Sequence, residues 1–139
     1  MFFAGQKYFI DTNVFIYAAA ESGHHKTSAL KLLEDLGLND GIAVTSVLVL
    51  EEAHFIFYRQ TKDHRQTVQF IRDIQKGLGD VFGITQNTVN LALNLFNKSK
   101  TKVSVKDYYH LASMIENHAE TIISFDQDFD QFAEIVRFA

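Results

Sequence analysis

Apolar residues run along this chain in two registers, short continuous blocks and longer stretches spaced by three and four, and acids mark several of the boundaries. Tyr8-Phe9-Ile10 is the first block and reads as a strand that ends at Asp11. Val14 to Ala20 then reads as a helix broken near Gly23. From about His25 to Leu38, residues Ala29, Leu30, Leu32, Leu33 and Leu36 make a broad apolar face that stops at Gly37, with Asn39-Asp40-Gly41 as a turn. Ile42 to Thr45 is the second strand, and the Ser46 hydroxyl is placed to cap a helix running from Val47 to about Gln60. Asp63 to Gly77 is amphipathic, Val81 to Ile84 is a weaker strand, and a helix follows through Val89, Ala92, Leu93 and Phe96. The clearest helical pattern is opened by Asp107, with Tyr108, Leu111, Ala112 and Ile115 at i, i+3, i+4 and i+7. Thr121 to Ser124 and Ile135 to Phe138 are the last strands.

Strands separated by about 10 or more residues of helix are joined by crossovers rather than hairpins, so the pattern predicts an α/β domain around a mostly parallel sheet. Ligands of such sheets bind beyond the carboxyl ends of the strands. Asp11 and Asp126 directly follow strands, while Glu52 and Asp107 fall in the first turns of helices, where that crevice draws its residues. Carboxylates gathered at one point repel one another unless a cation lies between them. The four acids therefore suggest a hard-metal site. Each has a simpler use on its own: Asp11 can cap the helix after it, Asp107 can complement a helix dipole, and Asp126 can belong to a polar turn with Asp128 and Asp130. Their joint placement carries the metal reading.

Composition narrows this picture. No repeat, linker or low-complexity tract divides residues 1–139, and that length suits a single domain. A hydrophobic fraction of 47% with 13 Phe and 5 Tyr is that of a folded chain rather than a disordered one. The lack of cysteine excludes disulfides, thiolate zinc sites and a cysteine nucleophile, and is consistent with a reducing cytoplasmic compartment. No membrane span is expected, because the longest uncharged stretch, Val81 to Asn97, carries four Asn and one Gln. Asp11 and the short apolar run after it argue against a signal peptide. The formal net charge of −4 is unpromising for a nucleic-acid binder, but cations on four carboxylates would neutralise it. Lys98, Lys100, Lys102 and Lys106 precede Asp107, and Arg59, Lys62, His64 and Arg65 follow the Glu52 helix, so two basic segments flank two of the acids. Solvated surface loops would account for the same charges.

Phe9-Ile10-Asp11-Thr12-Asn13-Val14, Thr45-Ser46 with Leu50-Glu51-Glu52-Ala53, Lys106-Asp107-Tyr108-Tyr109-His110-Leu111-Ala112 and Ile123-Ser124-Phe125-Asp126-Gln127-Asp128-Phe129 span nearly the whole chain. In order and spacing they resemble the PIN-domain family, most closely the VapC-like toxins of toxin–antitoxin pairs. The resemblance implies a three-layer α/β/α fold, a Mg²⁺- or Mn²⁺-dependent endoribonuclease activity, an antitoxin partner and homodimers. Carried over by position, Asp11, Glu52, Asp107 and Asp126 form the acidic catalytic and metal-binding quartet, with Asn13 and Ser46 as polar residues near the site and candidate substrate contacts. Two alternatives stay open: Glu51 in place of Glu52, and Asp128 instead of or beside Asp126. The family often has Thr where this chain has Ser124.

Lys100, Lys102, Lys106 and Arg65 are candidates for holding an RNA backbone. His24-His25 sits where it can reach a phosphate or merely begin a helix, and His110 lies one turn from Asp107, within range of a substrate. No His-Glu-x-x-His zinc motif, Gly-rich phosphate loop or Gly-x-Ser-x-Gly elbow is present. Two rivals stand beside the nuclease. A phosphomonoesterase forming an aspartyl phosphate would also place Asp11 after its first strand but would want Asp at position 13, which is Asn13. A catalytically inactive module that binds RNA or protein would keep the carboxylates without the chemistry.

Overall fold

The computed structural model describes residues 2–37 and 41–139. Its strands are β1 (Tyr8–Ile10), β2 (Ala43–Ser46), β3 (Asp80–Phe82), β4 (Thr121–Ile123) and β5 (Val136–Phe138). Its helices are α1 (Thr12–Ala19), α2 (Lys26–Gly37), α3 (Val47–Thr61), α4 (His64–Gly77), α5 (Gln86–Lys98) and α6 (Val105–Glu116), with a short 3₁₀ helix at Gln127–Gln131. The strands lie in the order β3-β2-β1-β4-β5, and every neighbouring pair is parallel. This is the parallel sheet expected from the crossovers, in the three-layer α/β/α fold that the resemblance implied.

Element ends differ from the sequence pattern by a residue or two, and the differences have local causes. Asp107 does not open α6: Ser104 is the N-cap and Val105 the first helical residue, so Asp107 points from within the first turn. The apolar periodicity begins only at Tyr108, where the helix meets the core, three residues after the backbone has become helical. Asp63 stands outside α4 as its cap and accepts the amide of Gln66 at 2.9 Å. Ser46 caps α3 as expected, accepting the amide of Val49 at 3.4 Å. The turn expected at Asn39-Asp40 lies outside the described residues.

Every residue of β1 and β2 is buried, as continuous apolar strands covered on both faces should be. Phe9, Ile10, Val44, Ile122 and Ile123 fill the sheet's centre against Leu111, Ala112 and Met114 of α6. The edge strands are more exposed, and β5 buries none of its three residues. From β1 the chain steps outward through β2 to β3, then crosses back to add β4 and β5 on β1's other side. The strand order therefore reverses between β1 and β4, and their carboxyl ends open the crevice where an α/β sheet binds its ligands.

One glycine makes a close approach that the sheet requires. Gly79, just before β3, donates its amide to the carbonyl of Ala43 at 2.7 Å, and a Cβ there would fall on the backbone of Gly41. Backbone cannot swing aside as a side-chain tip can. Gly79→Ala should thus lower stability by about 1–3 kcal/mol, read as a lower urea midpoint with an unchanged m value. An unchanged midpoint would show that this edge of the sheet yields freely.

Candidate functional site

Asp11 leaves β1 with its amide donated to the carbonyl of Ile123 at 3.0 Å, so the last pairing of β1 with β4 fixes the carboxylate's position. It is the N-cap of α1 and is buried. Its Oδ1 accepts the Thr12 amide at 2.8 Å, and its Oδ2 accepts the Ser124 hydroxyl at 2.7 Å and the Asn13 side-chain amide at 3.2 Å. Asn13 also donates to Ser124 Oγ at 3.2 Å and accepts the Phe125 amide at 3.3 Å through its own Oδ1. Ser124 Oγ in turn accepts the Asp126 amide at 3.0 Å, and Asp126 Oδ1 accepts the amide of Asp128 at 2.9 Å. A chain of hydrogen bonds thus runs from the end of β1 through Asn13 and Ser124 into the 3₁₀ segment. Asn13, expected as a substrate contact, lines the cavity and has its amide engaged in this scaffold. On β5, Arg137 braces the same loop, gripping both oxygens of Asp130 at 2.9 and 3.0 Å and the Ser124 carbonyl at 3.2 Å.

Asp107, Asp126 and Asp128 each present an oxygen to this crevice, and the three lie within 4.8 Å of one another. Asp107 is the acid out of place by ordinary standards. It is 1% exposed, and neither of its oxygens has a hydrogen-bond partner among the described residues. Burial, reinforced by the charges of Asp126 and Asp11, pushes its carboxyl up to about 7. Unpaired buried carboxylate oxygens are costly, and a divalent cation with oxygen preference satisfies them while cancelling the repulsion. The residues present fit such an ion on these grounds.

Glu52 stands across a cavity of about 240 Å³ lined by Asp11, Thr12, Asn13, Ile16, Tyr17, Ile56, Lys106 and Asp126. Its Oε2 accepts Lys106 Nζ at 2.7 Å. Burial alone would raise this carboxyl, but the Lys106 ammonium, with smaller contributions from Thr12 and His110, holds Glu52 below the ordinary glutamate value. The same pairing holds Lys106 above its own ordinary value despite the burial that works against it. Glu51 is exposed and does not line the cavity.

Six of the expected site residues meet here: Asp11, Asn13, Glu52, Asp107, Asp126 and Lys106, with Asp128 beside Asp126 rather than in its place. Ser46 is buried and serves as the α3 cap. Arg65 is exposed on α4, Lys100 and Lys102 are exposed in the loop between α5 and α6, and none of the three lines this cavity. His110 is 2% exposed between Phe9 and Phe129, which removes it from a substrate's reach. Burial keeps its imidazole below the usual histidine value, against the pull of Asp11 and Glu52.

Comparison with known proteins places this geometry. A family model described as PIN domain matches residues 8–135. The chain is 30% identical over 132 residues to the VapC ribonuclease Mb1869c of Mycobacterium bovis, covering 94% of this chain and 98% of the relative, and equally to ribonuclease VapC13 of Mycobacterium tuberculosis. Among solved structures, VapC20 of Mycobacterium tuberculosis, a sarcin-ricin loop cleaving toxin, superposes with a TM-score of 0.75 at 21% identity, over 94% of this chain and 99% of that one. VapBC2 from Rickettsia felis, bound to a DNA fragment from its promoter, gives 0.75 at 18% identity, over 96% and 98%. At these identities the two structures speak for the fold.

The Asp107 shift has a sign that stability measurements can read. In metal-free buffer the unfolded chain loses this proton near the ordinary aspartate value of 3.8 and the folded protein only near 7, so between those values the folded state holds more protons and rising pH favours unfolding. Asp107→Asn removes that penalty. Its stability relative to the native sequence should therefore grow as pH rises from about 4 to about 7 and then level off. Urea unfolding of both proteins in EDTA tests this, and a pH-independent difference would contradict the buried, unpartnered carboxyl.

Proposed function

The chain belongs to the PIN-domain family, and from that premise we propose that it is a divalent-metal-dependent endoribonuclease, the toxin of a toxin–antitoxin pair. The observation that carries the reading is the convergence of Asp107, Asp126 and Asp128 beside Asp11 at the crevice between β1 and β4, with Asp107 buried and unpartnered. Similarity to two ribonucleases over almost their full length supports the activity.

Asp107, Asp126 and Asp128 would hold the ion, with Asp11 and Glu52 completing the acidic wall. An all-oxygen donor set favours Mg²⁺ or Mn²⁺ over zinc or copper. When bound, such an ion supplies Lewis acidity, lowering the pKa of a water and stabilising negative charge on phosphodiester oxygens. The chain's own residues provide alignment. Ser124 and Asn13 hold Asp11 in one orientation, and their bonds continue to Phe125 and Asp126, so the acids of β1 and β4 move as one unit. Lys106 is the cation facing the cavity; its ammonium, shared with Glu52, is placed to meet a phosphate oxygen as the substrate enters. Phosphate contacts of this kind carry no base sequence.

Two surfaces support the assembly reading. Phe15, Ala18, Leu30, Leu33, Phe70 and Ile74 line an open apolar groove of about 460 Å³ that suits an apolar segment of an antitoxin. Leu93, Phe96 and Val105 are exposed together around a second apolar recess on α5 and α6, as a homodimer interface would have them. No helix among the described residues is long and apolar enough to cross a membrane. An RNA substrate supports a cytoplasmic setting for the protein.

The test is cleavage of a mixed RNA pool by protein freed of any co-purifying partner, in Mg²⁺, Mn²⁺ or EDTA. Discrete products should require metal. Asp11→Asn, nearly isosteric, should leave the thermal midpoint close to the native one and lower kcat/KM by at least the roughly 10–100-fold that loss of support around a metal costs. Undiminished cleavage by that variant under matched metal would sink the assignment.

A further inference from the structure

Beyond the acids, the cavity's rim carries a row of rings that the chemistry above does not use. Tyr17 lies one helical turn beyond Asn13 on the same face of α1 and lines the acidic cavity. Its ring is 5.6 Å from that of Phe125, which sits between Ser124 and Asp126 in the loop after β4. His25, at the entry to α2, stacks on Phe125 with centroids 4.4 Å apart and planes 25° from parallel, and its ring lies 5.0 Å from Tyr17. His24 packs edge-on against His25 at 4.9 Å. The row thus leads from the wall of the cavity, through Tyr17 and Phe125, to His25 and an exposed His24.

These rings are held in place from three directions. The Phe125 amide is bonded to Asn13, Gly23 at φ +143° turns the chain between α1 and α2, and Lys26 Nζ is bonded to the carbonyls of Ala18 and Ala20, which locks the two helices' ends together. Yet the rings are not core: Tyr17 is 37% exposed, His24 is exposed, and His25 and Phe125 are half-buried. A fixed, partly exposed aromatic row beside a cluster of phosphodiester-cleaving carboxylates is the arrangement that binds an unpaired strand, because every base offers a π-face and stacking tolerates sequence.

We propose that Tyr17, Phe125, His25 and His24 form a base-stacking subsite that receives an unpaired nucleobase next to the scissile phosphate. This rests on the ribonuclease reading and deepens it, since bases already stacked within a duplex cannot engage the row. The acids hold the reacting phosphate, and the rings fix which way the strand leaves it. Tyr17 supplies a ring rather than a hydroxyl, so Phe replaces it and an aliphatic side chain of similar bulk does not.

The experiment uses short single-stranded RNA carrying 2-aminopurine at successive positions, bound to the Asp11→Asn protein in Mg²⁺, together with steady-state cleavage by the otherwise native chain. Fluorescence should be quenched at one position adjoining the cut site. Tyr17→Leu and His25→Ala should each relieve that quenching and raise KM roughly five- to hundredfold with kcat little changed, whereas Tyr17→Phe should behave as native. Thermal midpoints distinguish lost stacking from lost folding, and Tyr17→Leu keeps the apolar bulk that α1 packs. Native-like KM and quenching in Tyr17→Leu, with cleavage intact, would overturn the subsite and leave the nuclease standing. Failure of the native protein to bind or cut RNA in any metal would remove both.

Discussion

The structure turns on the repulsion among carboxylates that topology forces together at the carboxyl ends of β1 and β4. Asp11 and Asp126 are fixed to adjacent parallel strands, and α6 delivers Asp107 against them from the side, where it is buried without a hydrogen-bond partner among the described residues. Nothing in the sheet's own packing needs these acids. Their cost is tolerated because the surrounding bonds allow no relaxation, and the cation that would relieve it is the functional requirement. A residue that resists its own ionisation in the free protein becomes an anionic ligand once a divalent charge is supplied, so folding stability and metal affinity draw on the same interaction.

The rest of the site reads as consequences of that constraint. Where a carboxylate is not meant to face the ion alone, it is given protein donors. Asp11 takes three, from Thr12, Asn13 and Ser124, and Glu52 takes the Lys106 ammonium. The loop holding Asp126 and Asp128 is tied at its start through Ser124 and at its end by the two-pronged grip of Arg137 on Asp130. That last pair is exposed and by itself contributes little to stability. Its value is geometric, because Arg137 also reaches the Ser124 carbonyl and so joins β5 to the loop that carries two of the acids.

What the sequence made legible follows from what local pattern encodes. Strand ends and helix starts are local, so Asp11, Asp107 and Asp126 stood out, and crossover lengths alone implied a parallel sheet with a crevice at its carboxyl edge. The Glu52–Lys106 pair was not legible, since its partners are 54 residues apart and belong to different helices. Asp128 stayed open because a 3₁₀ turn repeats differently from a strand or an α-helix, and only its geometry shows it facing Asp126 and Asp107. Of the basic residues near Asp107 in the chain, Lys100 and Lys102 precede α6 and only Lys106, on α6 itself, reaches the cavity. The aromatic row was hidden most deeply, for His25 and Phe125 are brought together only by the reversal of strand order.

The same geometry weighs the rival chemistries. An aspartate that attacks phosphorus needs a free lone pair aimed at its target, and hydrogen bonds to an anion weaken it as a nucleophile. Asp11 is bonded at both oxygens, one of them to two donors, and Asn13 occupies the place where an aspartyl-phosphate enzyme would want a second acid and spends its amide on Asp11 itself. A module that had kept only binding would have no physical reason to hold Asp107 buried and unpartnered, since asparagine or leucine there would relieve the strain without disturbing an exposed RNA surface. The persistence of that strained carboxyl, opposite two others and beside a cavity with one facing lysine, favours phosphodiester chemistry over both.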